Sequence, residues 1–148
     1  MSNKKLQNPF VQGAISPLFI ADSIAAHQRK TSIGGHSIFL GQVRADLKGS
    51  GQTVTSITYS AYEEMALAEI TRIREEIFAH YPITCMHIHH SLGSVMAGEI
   101  CLFVFTSAPH RKEAMEACTE IVERIKGEVP IWGQEELSDQ SYLWKENR

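Results

Sequence analysis

The chain reads as one α+β domain whose mostly antiparallel sheet is covered by helices on one side. Three observations predict this. Stretches of period two and of period 3.6 alternate in the order β-α-β-β-α-β-β-α-β. The β-type stretches come in neighbouring pairs joined by polar or glycine-bearing segments, which suits hairpins better than parallel crossovers. The 148 residues suffice for a single core, burying about 68–70% of the unfolded surface.

Residues 1–8 form a polar start expected to be disordered, within a single domain spanning 1–148. PFVQGAI (9–15) is a short strand candidate. SPLFIADSIAAHQRK (16–30) follows as a helix, with Ser16 as N-cap and Pro17 at the first helical position. HSIFLGQVR (36–44) is rich in β-formers, ADLKGSGQ (45–52) is a polar loop, and TVTSITYSAY (53–62) alternates with period two. These three predict a hairpin with a long mobile tip. EEMALAEITRIREEIFAH (63–80) is a helix, because Ala66, Ile70, Ile73 and Ile77 recur at helical spacing. ITCMHIHHSLG (83–93) and GEICLFVFTS (98–107) are strands joined by a short turn; the second is apolar on both faces, hence central. Pro109 opens the last helix, whose apolar face is Ala114, Ala117 or Cys118, Ile121 and Ile125. Gly127 is placed to end that helix in a left-handed cap. Pro130, Ile131 and Trp132 continue as an extended segment.

A net charge of −3 speaks against a general nucleic-acid or membrane-surface binder, since those carry a basic excess. Cys85, Cys101 and Cys118 form neither a CxxC pair nor an even disulfide set, so they are expected to be buried, reduced thiols. MSNKKLQNPF lacks the apolar stretch of a signal peptide, and the apolar run 100–105 is far short of the ~20 residues that span a bilayer. A cytoplasmic location is the expectation.

Four cationic positions carry the candidate chemistry. His110 and Arg111 stand at a helix N-terminus, where unpaired N–H groups attract anions but cations cost dipole energy. Arg44 ends a strand before the polar loop, and Lys126 closes the last helix, where a cation suits the dipole. Taken singly, Arg44 and Lys126 read better as a solvated strand-end arginine and a helix-end cation, and His110–Arg111 reads as readily as a solvated helix start. His87 and His89 share a strand face beside His90, a geometry able to hold a metal, yet no HExxH or Cys/His spacing supplies a further ligand. No metal or cofactor site is therefore assigned. GxGxxG, Walker and nucleophile-elbow motifs are absent.

In this order and spacing, IFLGQVR (38–44), GEICLFVFTSAPHRKEAMEA (98–117) and IKGEVPIWGQEE (125–136) resemble the MoaE family, the large subunits of molybdopterin synthase. YSAYEEMA (59–66) and the His90–Glu99 pattern HxxGxVxxGE add to the likeness, which runs from about residue 9 onward. The resemblance implies an α/β hammerhead-type fold and a homodimeric core. It also implies a small ubiquitin-like (MoaD-like) sulfur-carrier subunit on each protomer, giving a heterotetramer. That subunit's Gly-Gly thiocarboxylate would deliver sulfur to cyclic pyranopterin monophosphate, forming the molybdopterin dithiolene, with two tails used per product.

By the same resemblance Lys126, Arg44, His110 and Arg111 are catalytic. Gln42, Val43, Gly133, Gln134 and Glu135 join them in binding substrate, and Arg148 stands where some relatives carry a cross-protomer arginine. A lysine among arginines is expected to have a lowered pKa, suited to proton transfer first and nucleophilic attack second. The break at Gly127 would let Lys126 and the following strand wall one pocket. The chain departs from the family in two places. Many members carry a second lysine after the PIW tryptophan, where Gly133 and Gln134 stand here, leaving Lys112, Lys145 or the partner to supply that charge. The family's SxHR is SAPHR, one residue longer. Two alternatives stay open: a non-catalytic or impaired binding subunit for a ubiquitin-like protein, and a metal-dependent hydrolase using His87, His89 and His90.

Overall fold

The computed structural model describes residues 8–146; the expected disorder of residues 1–7 and the position of Arg148 lie outside them. The elements run β1 (Phe10–Gln12), α1 (Pro17–His27), β2 (Gly35–Gln42), β3 (Val54–Ala61), α2 (Glu63–His80), β4 (Cys85–Met96), β5 (Ile100–Ala108), α3 (Arg111–Glu128), β6 (Ile131–Leu137) and β7 (Tyr142–Trp144). The order matches the expectation with one added strand, β7, in a tail that carries little pattern.

Among the described residues, one seven-stranded sheet has the order β2-β5-β4-β3-β6-β7, with β1 alongside β4. Every pairing is antiparallel except β1 with β4. The expected hairpin of β2 with β3 does not form, because β2 pairs β5 while β3 pairs β4 and β6. Alternation in sequence reveals a strand but not its partner. β5, apolar on both faces, takes a central place between β2 and β4. The 45–52 loop instead closes on itself, with an isolated bridge from Leu47 to Thr53 and a bond from Lys48 N–H to the Gln52 carbonyl at 2.8 Å.

β4 runs on to Met96 rather than stopping at Gly93. Gly93, at φ +83°, lets the strand change partners: residues 85–90 pair β5 and residues 93–96 pair β3.

Alternate residues of β5 feed two cores. Leu102 and Val104 pack with Ile70, Ile73 and Ile77 of α2 and Ile121 of α3. Phe103 and Phe105 face the other way and meet Ile15 and Ile20, so α1 covers part of the face expected to be bare. A third cluster, around Ile57, Val95 and Leu137, supports the sheet's β3–β6 half. Ser16 caps α1 as expected, accepting from Leu18 N–H at 3.1 Å.

α3 corrects two details. It starts at Arg111 with His110 as N-cap, two residues later than Pro109. It also runs through Gly127, which has no positive φ, and stops because Val129 precedes Pro130 and is held extended at φ −90°, ψ 129°. At its other end α3 is seated by a close approach: a Cβ on Gly34 would collide with the Pro109 carbonyl, and one on Gly35 would lie 3.0 Å from the Arg111 Cα. Gly34→Ala is expected to cost about 1–3 kcal/mol by overpacking. An unchanged urea midpoint would show that the junction yields freely.

Candidate active site

A cleft of about 800 Å³ opens where the end of β2, the face of β3, the start of β5 and the β6–β7 pair meet the last turn of α3. Gln42, Val43, Arg44, Lys126 and Glu135 line it. Of the other expected positions, Gly133 is buried beside the lining Tyr59, and Gln134 alternates to the other face of β6.

Lys126 is half-buried, and burial is the main cause that lowers its pKa; Lys145 adds to the lowering and Cys101 opposes it. The direction agrees with expectation, but the arginines are not the cause. Arg44 sits at the rim with 76% of its side chain exposed, paired to Asp46 at 3.1 Å. Deeper in, Glu135 is 5% exposed and binds Lys48 at 2.9 Å, tying the 45–52 loop to the cleft wall.

Beneath these groups, burial raises the Tyr59 pKa, with Cys101 and then Glu135 adding to it, so the phenol stays protonated. His90 lies behind, its ring 5.1 Å from that of Tyr59, and burial pushes its pKa down to about 4. With burial keeping the imidazole and the phenol neutral, neither adds charge to the cleft floor beside Lys126.

His110 and Arg111 are elsewhere. Both are exposed at the start of α3, beside Gly35, with about 22 Å of helix axis between Arg111 and Lys126. Lys112 shares that distant end. Within one chain, Arg44 and Lys126 share the cleft, while His110 and Arg111 lie at the opposite end of a rigid helix.

The strand histidines do not converge either. His87 Nε2 lies 2.8 Å from His27 Nε2, and His27 Nδ1 lies 2.7 Å from the Ser23 carbonyl. His89 stacks on Phe103, and His90 points through the opposite face of β4. His27, Cys85 and His87 do bring three donor atoms within 4.8 Å of one another. That group is already bonded, since Cys85 accepts from Lys30 Nζ at 2.9 Å. Lys30 and Arg74 both face it, and no carboxylate joins it among the described residues. The arrangement suits a hydrogen-bonded clip between α1 and β4.

Sequence reasoning missed Tyr59, Cys101 and Lys48 as cleft residues. Tyr59 carried a signal, because it alternates with Ile57 on the inward face of β3. Cys101 is buried as expected, yet it borders the cleft. Lys145, offered as one source of the missing charge, does line the cleft, carried there by β7, whose three residues gave no usable pattern.

The chain is similar to known proteins over most of its length. The model of the MoaE protein family matches residues 15–128. The molybdopterin synthase catalytic subunit of Pyrococcus abyssi is 42% identical over 116 residues, 78% of this chain and 76% of that protein. The crystal structure of molybdopterin synthase from Staphylococcus aureus superposes with a TM-score of 0.78 at 29% identity, covering 97% of this chain and 99% of that one. A chain in the complex of subunits 1 and 2 of molybdopterin-converting factor from Helicobacter pylori gives 0.79 at 19% identity, covering 94% and 90%, a likeness of fold. By its sequence and its architecture, this chain belongs to the MoaE family.

Proposed function

We propose that the chain is the catalytic subunit of a molybdopterin synthase. It takes sulfur from the C-terminal thiocarboxylate of a small ubiquitin-like subunit and transfers it to cyclic pyranopterin monophosphate, making the dithiolene of molybdopterin. The observation that carries this reading, beyond family membership, is Lys126: a half-buried ammonium with a lowered pKa in a cleft sized for a small heterocycle. The Helicobacter complex supports a small-subunit partner. The three cysteines are free thiols, which suits the reducing cytoplasm, where we place the reaction. No helix among the described residues is long and apolar enough to cross a membrane.

Arg44 offers planar paired donors to a phosphate and can leave Asp46 at little cost, because exposed ion pairs are weak. Lys126 exchanges protons with the reacting groups, its depressed pKa placing more neutral amine at working pH than an ordinary lysine provides. The partner's glycine-ended tail enters extended, held by main-chain hydrogen bonds. Leu143 and Trp144, exposed at the cleft rim, give it apolar surface. Sulfur comes from the tail, so Cys101 needs no redox role.

His110 and Arg111 enter through a homodimer. β2 is an edge strand bearing exposed Phe39 and Leu40, and its two ends mark the two halves of the site. A two-fold axis beside that edge sets the partner's β2 antiparallel, bringing its His110–Arg111 end toward this cleft.

The absence of a lysine after Trp132 favours one competing reading, a binding subunit without turnover. Incubation with thiocarboxylated small subunit and the cyclic precursor separates the two, since a scaffold yields no dithiolene. Lys126→Ala is expected to lower turnover by about 10²–10⁴-fold while small-subunit binding persists; near-full turnover removes Lys126 from the mechanism. The wild-type rate is expected to rise with pH and level off at a midpoint below the ordinary lysine value of about 10.4. A midpoint at or above that value contradicts a proton-transfer role. Finally, Lys126→Ala and Arg111→Ala chains, each inactive alone, are expected to regain about a quarter of the activity when co-expressed, because half the dimers then carry one intact site. Co-expressed chains as inactive as either parent would refute a shared site.

A further inference from the structure

We infer that Lys145 is the second ammonium of the cleft and contacts the anionic group of the substrate from above Gly133. The inference rests on the cleft being the substrate site, as proposed above.

Register places Lys145 there. β6 and β7 pair Glu136 with Tyr142, Glu135 with Leu143 and Gln134 with Trp144, and Lys145 N–H donates to the Gly133 carbonyl at 2.8 Å. Lys145 thus stands opposite Gly133, and directly opposed residues on antiparallel strands share a face. That face holds Tyr59, Ile57 and Glu135.

Position 133 itself has no room for a side chain. A Cβ on Gly133 would lie 2.8 Å from Ile57 Cγ2 and 3.2 Å from Tyr59 Cε1, with Lys145 Cδ already 3.5 Å away. The Lys145 stem therefore covers the bare backbone at Gly133 and continues into the cleft. A cation absent from β6 is supplied from the neighbouring strand.

Charge points the same way. Arg44 and Lys48 each have a carboxylate within ion-pair distance, at 3.1 and 2.9 Å. Lys145 has no ion-pair partner among the described residues, and its charge is felt by Lys126. Two ammonium groups facing one partly desolvated space repel each other, and an anion held between them offsets that repulsion. A phosphate monoester, with up to two negative charges, is the class of group that relieves this repulsion.

Inorganic phosphate is the probe, titrated into the full chain and followed by phosphorus NMR for wild type, Lys145→Met and Lys145→Arg. Lys145→Met keeps the stem over Gly133 and removes the charge, so phosphate affinity is expected to fall about tenfold. Lys145→Arg is expected to stay within about threefold of wild type, and KM for the cyclic precursor to follow the same order. The inference is overturned if Lys145→Met binds phosphate as wild type does, if Lys145→Arg is as weak as Lys145→Met, or if the wild-type protein binds none. Phosphate binding that depends on Lys145, in a wild-type protein that forms no dithiolene, upholds the anion site and removes only the sulfur-transfer reading.

Discussion

The length and rigidity of α3 govern the rest of the molecule. Its buried face, Ala114, Ala117, Cys118, Ile121, Val122 and Ile125, is clamped against the sheet, so neither end can move without the other. The start is fixed by the close approach of Gly34 to Pro109, and the end by Pro130. Arg72 binds Glu128 at 2.7 Å and Arg124 binds Glu76 at 2.7 Å, lashing α3 to α2 along the solvent side. Exposed ion pairs add little stability each, but a network spanning two helices favours one relative position. The separation of Lys126 from Arg111 is therefore a property of the fold, and only a second chain can bring such groups to one cleft.

Much of the architecture was legible because burial leaves a period. α2 occupies the residues its Ile70, Ile73 and Ile77 spacing marks, and the apolar faces of β5 foretold its central position. Strand partners were not legible, since period two is indifferent to neighbours, and β2 joined β5 rather than β3. The end of α3 was misread for a local reason. Glycine suits a left-handed cap, but a proline three residues later constrains Val129 directly and the helix continues to Glu128.

The site divides in the same way. Residue types and motif order singled out Arg44, Lys126 and Glu135, which the cleft contains. The cause of the lysine's lowered pKa could not be read from neighbouring arginines, because burial is a property of the whole packing around a residue and dominates here. Lys145 could be offered only as one of several sources of the missing charge, for a simpler reason. Its position depends on a three-residue strand with every side chain exposed, which carries no hydrophobic signal.

The cleft's electrostatics oppose its own stability. Lys126 gives up hydration in the folded chain and faces a second ammonium, and both effects disfavour its charged form. Because its folded pKa is depressed, protonating Lys126 costs more in the folded chain than in the unfolded one. The associated loss of stability is absent well above the unfolded pKa and grows as pH falls through that value toward the folded one. At neutral pH the protein carries this strain in full if the amine is protonated. Of the cleft carboxylates, Asp46 pairs with Arg44 and Glu135 with Lys48. A buried lysine beside a second ammonium is a poor fold stabiliser, and the charge of an incoming anion favours its protonated form. Binding a phosphate would restore part of the interaction that Lys126 lost on burial, and its departure as the product leaves would restore the strain.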